Sequence, residues 1–305
     1  MASDDDERGS PGDRSQEWSY SGKGQRSEYF HEALLISQDT TAITSLALSY
    51  HTSPPTLITA HLSTAIRFYP LPESIGDVPT LTYDRQLTKS HSAPILVSTV
   101  SPDSTLLATG SSDGIVKVWD TTGGYVTHIY RGHGGPVSAL KFYYSEDKSR
   151  MELYTGSTDG RVRVFDLRDA SARVTGGSGA AKPKAVLEGH VSVVRGIDIS
   201  PDGKYAVTGG RDKVVLVWDL EISASSKKGK GKAPRVVQTI IAQEQVETCG
   251  MIGGSRLQCF TGGDRGLVRV WDVLKGEVTM TMKGLEGVDE ADDDEDEQRG
   301  VISIL

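Results

Sequence analysis

Apolar and polar positions alternate with a period of two along most of this chain, in short bursts that recur. In ELYTGSTDGRVRVFD (152–166), Val162 and Val164 alternate with Arg161 and Arg163, the pattern of a strand whose two faces meet different surroundings. Helical spacing is absent. The same register appears in LLATGSSDGIVKVWD (106–120), YAVTGGRDKVVLVWD (205–219) and QCFTGGDRGLVRVWD (258–272). A degenerate fifth copy, TLITAHLSTAIRFYP (56–70), keeps Ile66 and Phe68 where the clearest copy has Val116 and Val118, and Tyr69 in place of Trp119. Aligned on Tyr69, Trp119, Phe165, Trp218 and Trp271, the copies lie 50, 46, 53 and 53 residues apart, a spacing that marks a repeat architecture.

Turn chemistry divides each copy into strands. SPDS (101–104) and SPDG (200–203) put Pro at the second position of a bend, where its fixed φ suits a type I turn. Asp113-Gly114 and Asp159-Gly160 supply the positive φ of a tight hairpin, whereas Asp212-Lys213 requires another geometry or strain. Each copy thus predicts a four-stranded antiparallel sheet. One such sheet is marginal in water, but radial stacking buries both faces. The expected fold is all-β, a β-propeller with about five recognisable blades. The intervals exceed the roughly 40–45 residues usual per blade, and insertions at 170–185 and 223–234, rich in Gly, Ser, Ala and Lys, account for the excess. Both read as exposed loops too polar to bury anything.

Composition changes this picture little. The net charge is −8 among 305 residues, but eight acids fall in DEADDDEDE (289–297) and four in DDDE (4–7), so the rest is mildly basic. No apolar run is long enough to span a bilayer, and the first residues lack a signal-peptide pattern. Cys249 and Cys259 have neither CxxC spacing nor nearby histidines, so they predict buried thiols and no metal site. Residues 1–28 predict a disordered segment, 29–284 the blades, 285–299 an acidic disordered loop and 300–305 the first strand of a further repeat (GVISIL against PVSAL at 136–140). Glycines in SGKGQRS and TGGSGAAKPK do not link a strand to a helix, as a phosphate loop must. The lysines of KKGKGK, Lys227, Lys228, Lys230 and Lys232, are candidate RNA or partner contacts. Arg67, Lys117, Arg163 and Arg269 alternate with the apolar strand positions and are outward candidate contact groups that read first as solvated faces.

A polar set recurs within the copies: His91, Thr109, Asp113 and Trp119; His133, Thr155 and Asp159; His190, Thr208, Asp212 and Trp218. One set alone imitates a hydrolase triad. Recurrence at near-constant offsets argues instead for a structural chain in which Asp accepts from His, His bonds Thr and Thr bonds the indole N–H. Phe165 donates nothing, so the second set has three members. The last copy has Arg265 at the Asp position and no histidine in IAQEQVE (241–247), and the first has Ser63 there and no preceding histidine. The central blades are therefore expected to be the most rigid.

These sets resemble the structural tetrad of the WD-repeat family. The longer block HSAPILVSTVSPDSTLLATGSSDGIVKVWD (91–120), the run Tyr125, Thr127, His128 and Arg131, and TGGRDKVVLVWDL (208–220) are similar to the transducin-beta-like WD-repeat subunits of the U3 small nucleolar ribonucleoprotein. That resemblance implies a non-catalytic scaffold of the small-subunit processome in the nucleolus. It implies other protein subunits as partners, indirect contact with U3 RNA or precursor rRNA, and a role in 18S rRNA maturation. No cofactor, membrane or small-molecule substrate is implied. The subfamily implies two seven-bladed rings, so five blades leave an incomplete ring with exposed edges. A generic WD-repeat adaptor of a ubiquitin ligase or chromatin complex would carry the same tetrads.

Overall fold

The computed structural model describes residues 35–36, 41–71, 80–174, 181–221, 233–254 and 256–283. They form five four-stranded antiparallel sheets and a short parallel pair, Leu35–Ile36 with Thr80–Leu81. Blade 1 contains Ile43–Ser49, Thr56–His61, Ile66–Pro70 and Arg85–Leu87. Blade 2 contains Ile95–Val100, Leu106–Ser111, Val116–Asp120 and Val126–Tyr130. Blade 3 contains Val137–Tyr144, Met151–Ser157, Arg161–Asp166 and Ala185–Glu188. Blade 4 contains Val194–Ile199, Tyr205–Gly210, Val214–Asp219 and Arg235–Ile241. Blade 5 contains Val246–Ile252, Gln258–Gly263, Leu267–Asp272 and Glu277–Lys283. The first strands of consecutive blades pack on one another, which sets them around a common axis.

The core is divided among the interfaces between blades. Ile58, Ile66 and Phe68 of blade 1 meet Leu107 and Trp119 of blade 2, and Val116 and Val118 of blade 2 meet Leu153 and Phe165 of blade 3. Val162 and Val164 then meet Leu216 and Trp218, and Val215 and Val217 meet Cys259 and Trp271. From blade 1 to blade 4, the apolar face of each blade is covered by the aromatic face of the next. At about 1.5–3 kcal/mol per fully buried aliphatic side chain, this stacking stabilises sheets that would not persist singly. Close approach explains one glycine position: a Cβ on Gly110 would lie 2.6 Å from Val137 Cγ1, and one on Gly209 2.5 Å from Val246 Cγ1.

Polar clasps join the first strands. The Ser98 N–H and hydroxyl both donate to Ser45 Oγ (2.8 and 2.9 Å), the Ser138 hydroxyl donates to the Val194 carbonyl (2.6 Å), and Lys141 pairs with Asp198 (2.9 Å). Glu247 takes both Arg195 and Arg211 at 2.7 and 2.8 Å.

The hairpin between second and third strands has one geometry in all five blades. Thr64, Gly114, Gly160, Lys213 and Gly266 take φ of 68°, 77°, 73°, 65° and 72°. Lys213 thus occupies the left-handed region at a cost of about 1 kcal/mol, and no second geometry is used. The Ser145–Lys148 bend repeats the SPDG bend without proline: the Lys148 N–H donates to the Ser145 carbonyl at 2.8 Å, as Gly203 does to Ser200.

One expectation about the loops is corrected. Part of the 170–185 insertion is packed: Ala170–Ala172 forms a 3-10 turn, Ala172 is buried, and Lys184 pairs with the buried Glu152 at 2.5 Å. Small alanines let the backbone approach blade 2 despite the polar composition. Residues 1–28, the lysines at 227–232, the acidic run at 289–297 and the terminal 300–305 lie outside the described residues. On blade 5, Val268 and Val270 are half-buried where their counterparts Val215 and Val217 are fully buried; among the described residues no sixth sheet covers them.

Candidate functional site

Blade 4 carries an unbroken hydrogen-bond chain. The Trp218 indole N–H donates to Thr208 Oγ1 at 2.9 Å, Thr208 Oγ1 lies 2.8 Å from His190 Nε2, and His190 Nδ1 lies 2.9 Å from Asp212 Oδ2. A carboxylate only accepts, so Nδ1 bears the proton and Nε2 accepts from the Thr208 hydroxyl. The Val191 N–H also donates to Asp212 (3.0 Å), tying the loop before the blade to its hairpin.

Blade 3 orders the same groups in the opposite sense. Arg163 donates to His133 Nδ1 at 2.6 Å and to Asp159 Oδ2 at 2.8 Å. A guanidinium cannot accept, so Nδ1 is bare and the Nε2 proton is given to Thr155 Oγ1 at 2.7 Å. Thr155 passes its own proton to the Arg163 carbonyl at 3.3 Å. Phe165 leaves the indole position without a donor and stacks on Tyr130, ring centres 4.3 Å apart. Burial, followed by the charge of Arg163, pushes His133 down to about 4. Burial opposes ionisation of Asp159, but hydrogen bonds from Gly134 and Arg163 hold it down at about 2.

In blade 2 the chain stops one link early. His91 Nε2 lies 2.8 Å from Thr109 Oγ1, which accepts from the Trp119 indole at 2.9 Å. Asp113 instead accepts from the Ser92 hydroxyl at 2.5 Å, and buried His91 Nδ1 has no hydrogen-bond partner. The expected Asp113–His91 bond is therefore replaced, because Ser92 offers a hydroxyl where blades 3 and 4 have Gly134 and Val191. Burial, then Lys117, pushes His91 down to about 4.

The outer blades rebuild the site with different residues. In blade 1, His61 comes from within the second strand, with Nε2 2.7 Å from Thr59 Oγ1 and Nδ1 3.4 Å from Thr41 Oγ1. In blade 5 the indole of Trp271 donates to Thr261 Oγ1 at 2.9 Å, while the buried Glu244 pairs with Arg269 and accepts from the Arg265 N–H at 3.1 Å. Sequence reasoning missed both, since it looked for histidine only ahead of each copy.

The basic residues two positions before the aromatic also require correction. Arg163 is 8% exposed, Lys117 donates to the Ser90 carbonyl at 2.6 Å, and Arg67 lies over the Tyr83 ring, 4.9 Å from its centre. With Arg269 on Glu244, none of the four presents a free solvated face, because stacking of blades buries both sides of the third strand. Leu216 holds the equivalent place in blade 4. These chains lock strands together and offer no exposed nucleophile. Among the described residues, no group of three His, Cys, Asp or Glu side chains is placed to hold a metal ion.

The family model for the WD domain, G-beta repeat, matches residues 83–120, 124–166 and 181–219. Each segment runs from the outer strand of one blade through the first three strands of the next, ending in blades 2, 3 and 4, the three with a histidine ahead of the second strand. This chain carries WD repeats. The second and third strands of blades 1 and 5 lie outside the matched segments, and in those blades His61 and Glu244 stand in for the histidine and aspartate.

Among relatives, transducin beta-like protein 3 of Rattus norvegicus is 33% identical over 198 residues, 65% of this chain and 23% of that protein. The Homo sapiens protein of the same name is 34% identical over 191 residues, 63% and 22%. U3 small nucleolar RNA-associated protein 13 of Saccharomyces cerevisiae is 32% identical over 196 residues, 61% and 22%. The WD-repeat chain thus spans less than a quarter of the length of these relatives.

Proposed function

We propose that this WD-repeat chain is a non-catalytic scaffold of the small-subunit processome, acting in the nucleolus to hold protein subunits in register during maturation of the 18S rRNA precursor. The observation that carries this reading is the 32% identity to a yeast protein named for its association with U3 small nucleolar RNA. The structure is compatible with it: the recurring polar sets are spent inside blades, leaving loops and edges for contact. Contact with U3 RNA or precursor rRNA is indirect on this reading, with Lys227, Lys228, Lys230 and Lys232 as the basic groups for any direct contact.

The test is affinity purification of the tagged full chain from its own cells, with identification of bound RNA and protein. Recovery of U3 RNA with precursor rRNA is the expected result. Recovery of a ubiquitin ligase or chromatin complex without U3 RNA would replace this reading by that of a generic adaptor.

A further inference from the structure

Each blade ends in an outer strand with one unpaired side, and such edges are templates for pairing unless they are blunted or covered. Blade 1 ends in three residues, Arg85–Leu87, and blade 3 in four, Ala185–Glu188. The edge of blade 2 is covered by the chain itself. Arg173 forms an antiparallel bridge to His128, and the Val174 N–H donates to the Thr127 carbonyl at 3.1 Å. A short strand addition is thus already built into the molecule.

Blade 4 differs. Its outer strand, Arg235–Ile241, is seven residues long, and among the described residues no strand pairs with its far side. The Ala242 N–H donates to the Lys213 carbonyl at 2.9 Å, and Ile240 pairs with Val215 and Gln238 with Val217. That register turns Gln238, Ile240 and Ala242 inward and leaves the backbone N–H and C=O of Thr239 and Ile241 pointing out. Val236, Val237 and Ile241 are 39%, 41% and 71% exposed. The strand RVVQTII has neither an acid nor a proline to discourage pairing. A cation stands at each end: Arg235, whose side chain is 59% exposed although it reaches Asp219 at 3.4 Å, and the exposed Lys213.

We propose that the Arg235–Ile241 edge of blade 4 docks an extended aliphatic segment of a partner protein, flanked by acidic residues, as a fifth strand. Backbone pairing with Thr239 and Ile241 sets the register. Alternate aliphatic side chains of the segment cover Val237 and Ile241, and its acidic flanks meet Arg235 and Lys213.

A synthetic peptide of alternating threonine and valine with two glutamates at each end is the probe, and hydrogen exchange of the full chain is the readout. Peptide should slow exchange at Thr239 and Ile241 by about tenfold or more and leave Ile240, already in the ladder, unchanged. Thr239→Pro removes an outward N–H that the ladder does not use, so the fold is retained and binding falls about tenfold or more. Should the proline variant not fold, the doubly substituted Val237→Lys, Ile241→Lys chain is expected to show the same loss. Absence of slowing at millimolar peptide, or undiminished slowing at position 241 in both variants, overturns the proposal. Dimers of the chain alone that dissociate on Thr239→Pro would assign the edge to a second copy and overturn the partner reading.

Discussion

Blades 3 and 4 place a threonine, a histidine and an aspartate at the same positions, yet their protons run in opposite directions. In blade 4 an indole begins the chain and a carboxylate ends it. In blade 3 Arg163 stands where Leu216 does, takes Asp159 for itself and forces His133 into the other tautomer. The difference teaches that the repeat keeps a buried polar group at this place more strictly than it keeps particular residues. Blades 1 and 5 extend the lesson, since His61 and the Glu244–Arg269 pair satisfy the same location from other starting points.

The largest separation between the two blades should come from removing the shared node. Thr208→Val strands the Trp218 indole and His190 Nε2 and should cost about 3–4 kcal/mol in chemical denaturation. Thr155→Val strands no indole and should cost about 2 kcal/mol. Equal losses would erase the distinction.

Acid acts next. His133 and His91 titrate at about 4 in the fold against an ordinary value of 6.5, so between those values the unfolded chain binds more protons. Stability is fully present above pH 6.5 and falls as pH drops toward 4. The expected loss is about 2 kcal/mol per histidine on going to pH 5, and His133→Gln should flatten the profile by that amount. A stability that stays constant across this interval would be the opposing result.

A smaller change should convert one blade toward the other. Arg163→Leu frees Asp159, now 3.4 Å from His133 Nδ1, to accept from that nitrogen as Asp212 does. Stability should move by about 1 kcal/mol or less, because the carboxylate that loses Arg163 gains the His133 Nδ1–H and keeps the Gly134 N–H, while the imidazole tautomer inverts. The smallest effect belongs to the hairpin. Lys213→Gly should stabilise by about 0.5 kcal/mol, the left-handed strain relieved being partly offset by the entropy of glycine.

The five sheets were legible because alternation, Pro and Asp-Gly turns, and the aromatic at a fixed place all mark the same strands. Legibility ended where two faces of a strand are both inside. Alternation assigned Arg163 and Lys117 to water, a rule that holds for a sheet with one wet face and fails for one stacked on both sides. His61 was hidden because it entered from the strand and not from the preceding loop. Asp113 was assigned to His91 by analogy with the other blades, and one hydroxyl on Ser92 diverted it. The packed part of the 170–185 insertion escaped notice because its buried element is alanine.

The account rests on the histidines of blades 3 and 4 being buried locks whose Nδ1 is bare or protonated according to the neighbour it meets. Nitrogen-15 NMR of the imidazoles at pH 7 reads this directly. His190 should show a protonated Nδ1 and His133 a bare one with its proton on Nε2, and Arg163→Leu should protonate the Nδ1 of His133 as in His190. A common tautomer in both blades, or a protonated His133 at that pH, would contradict it.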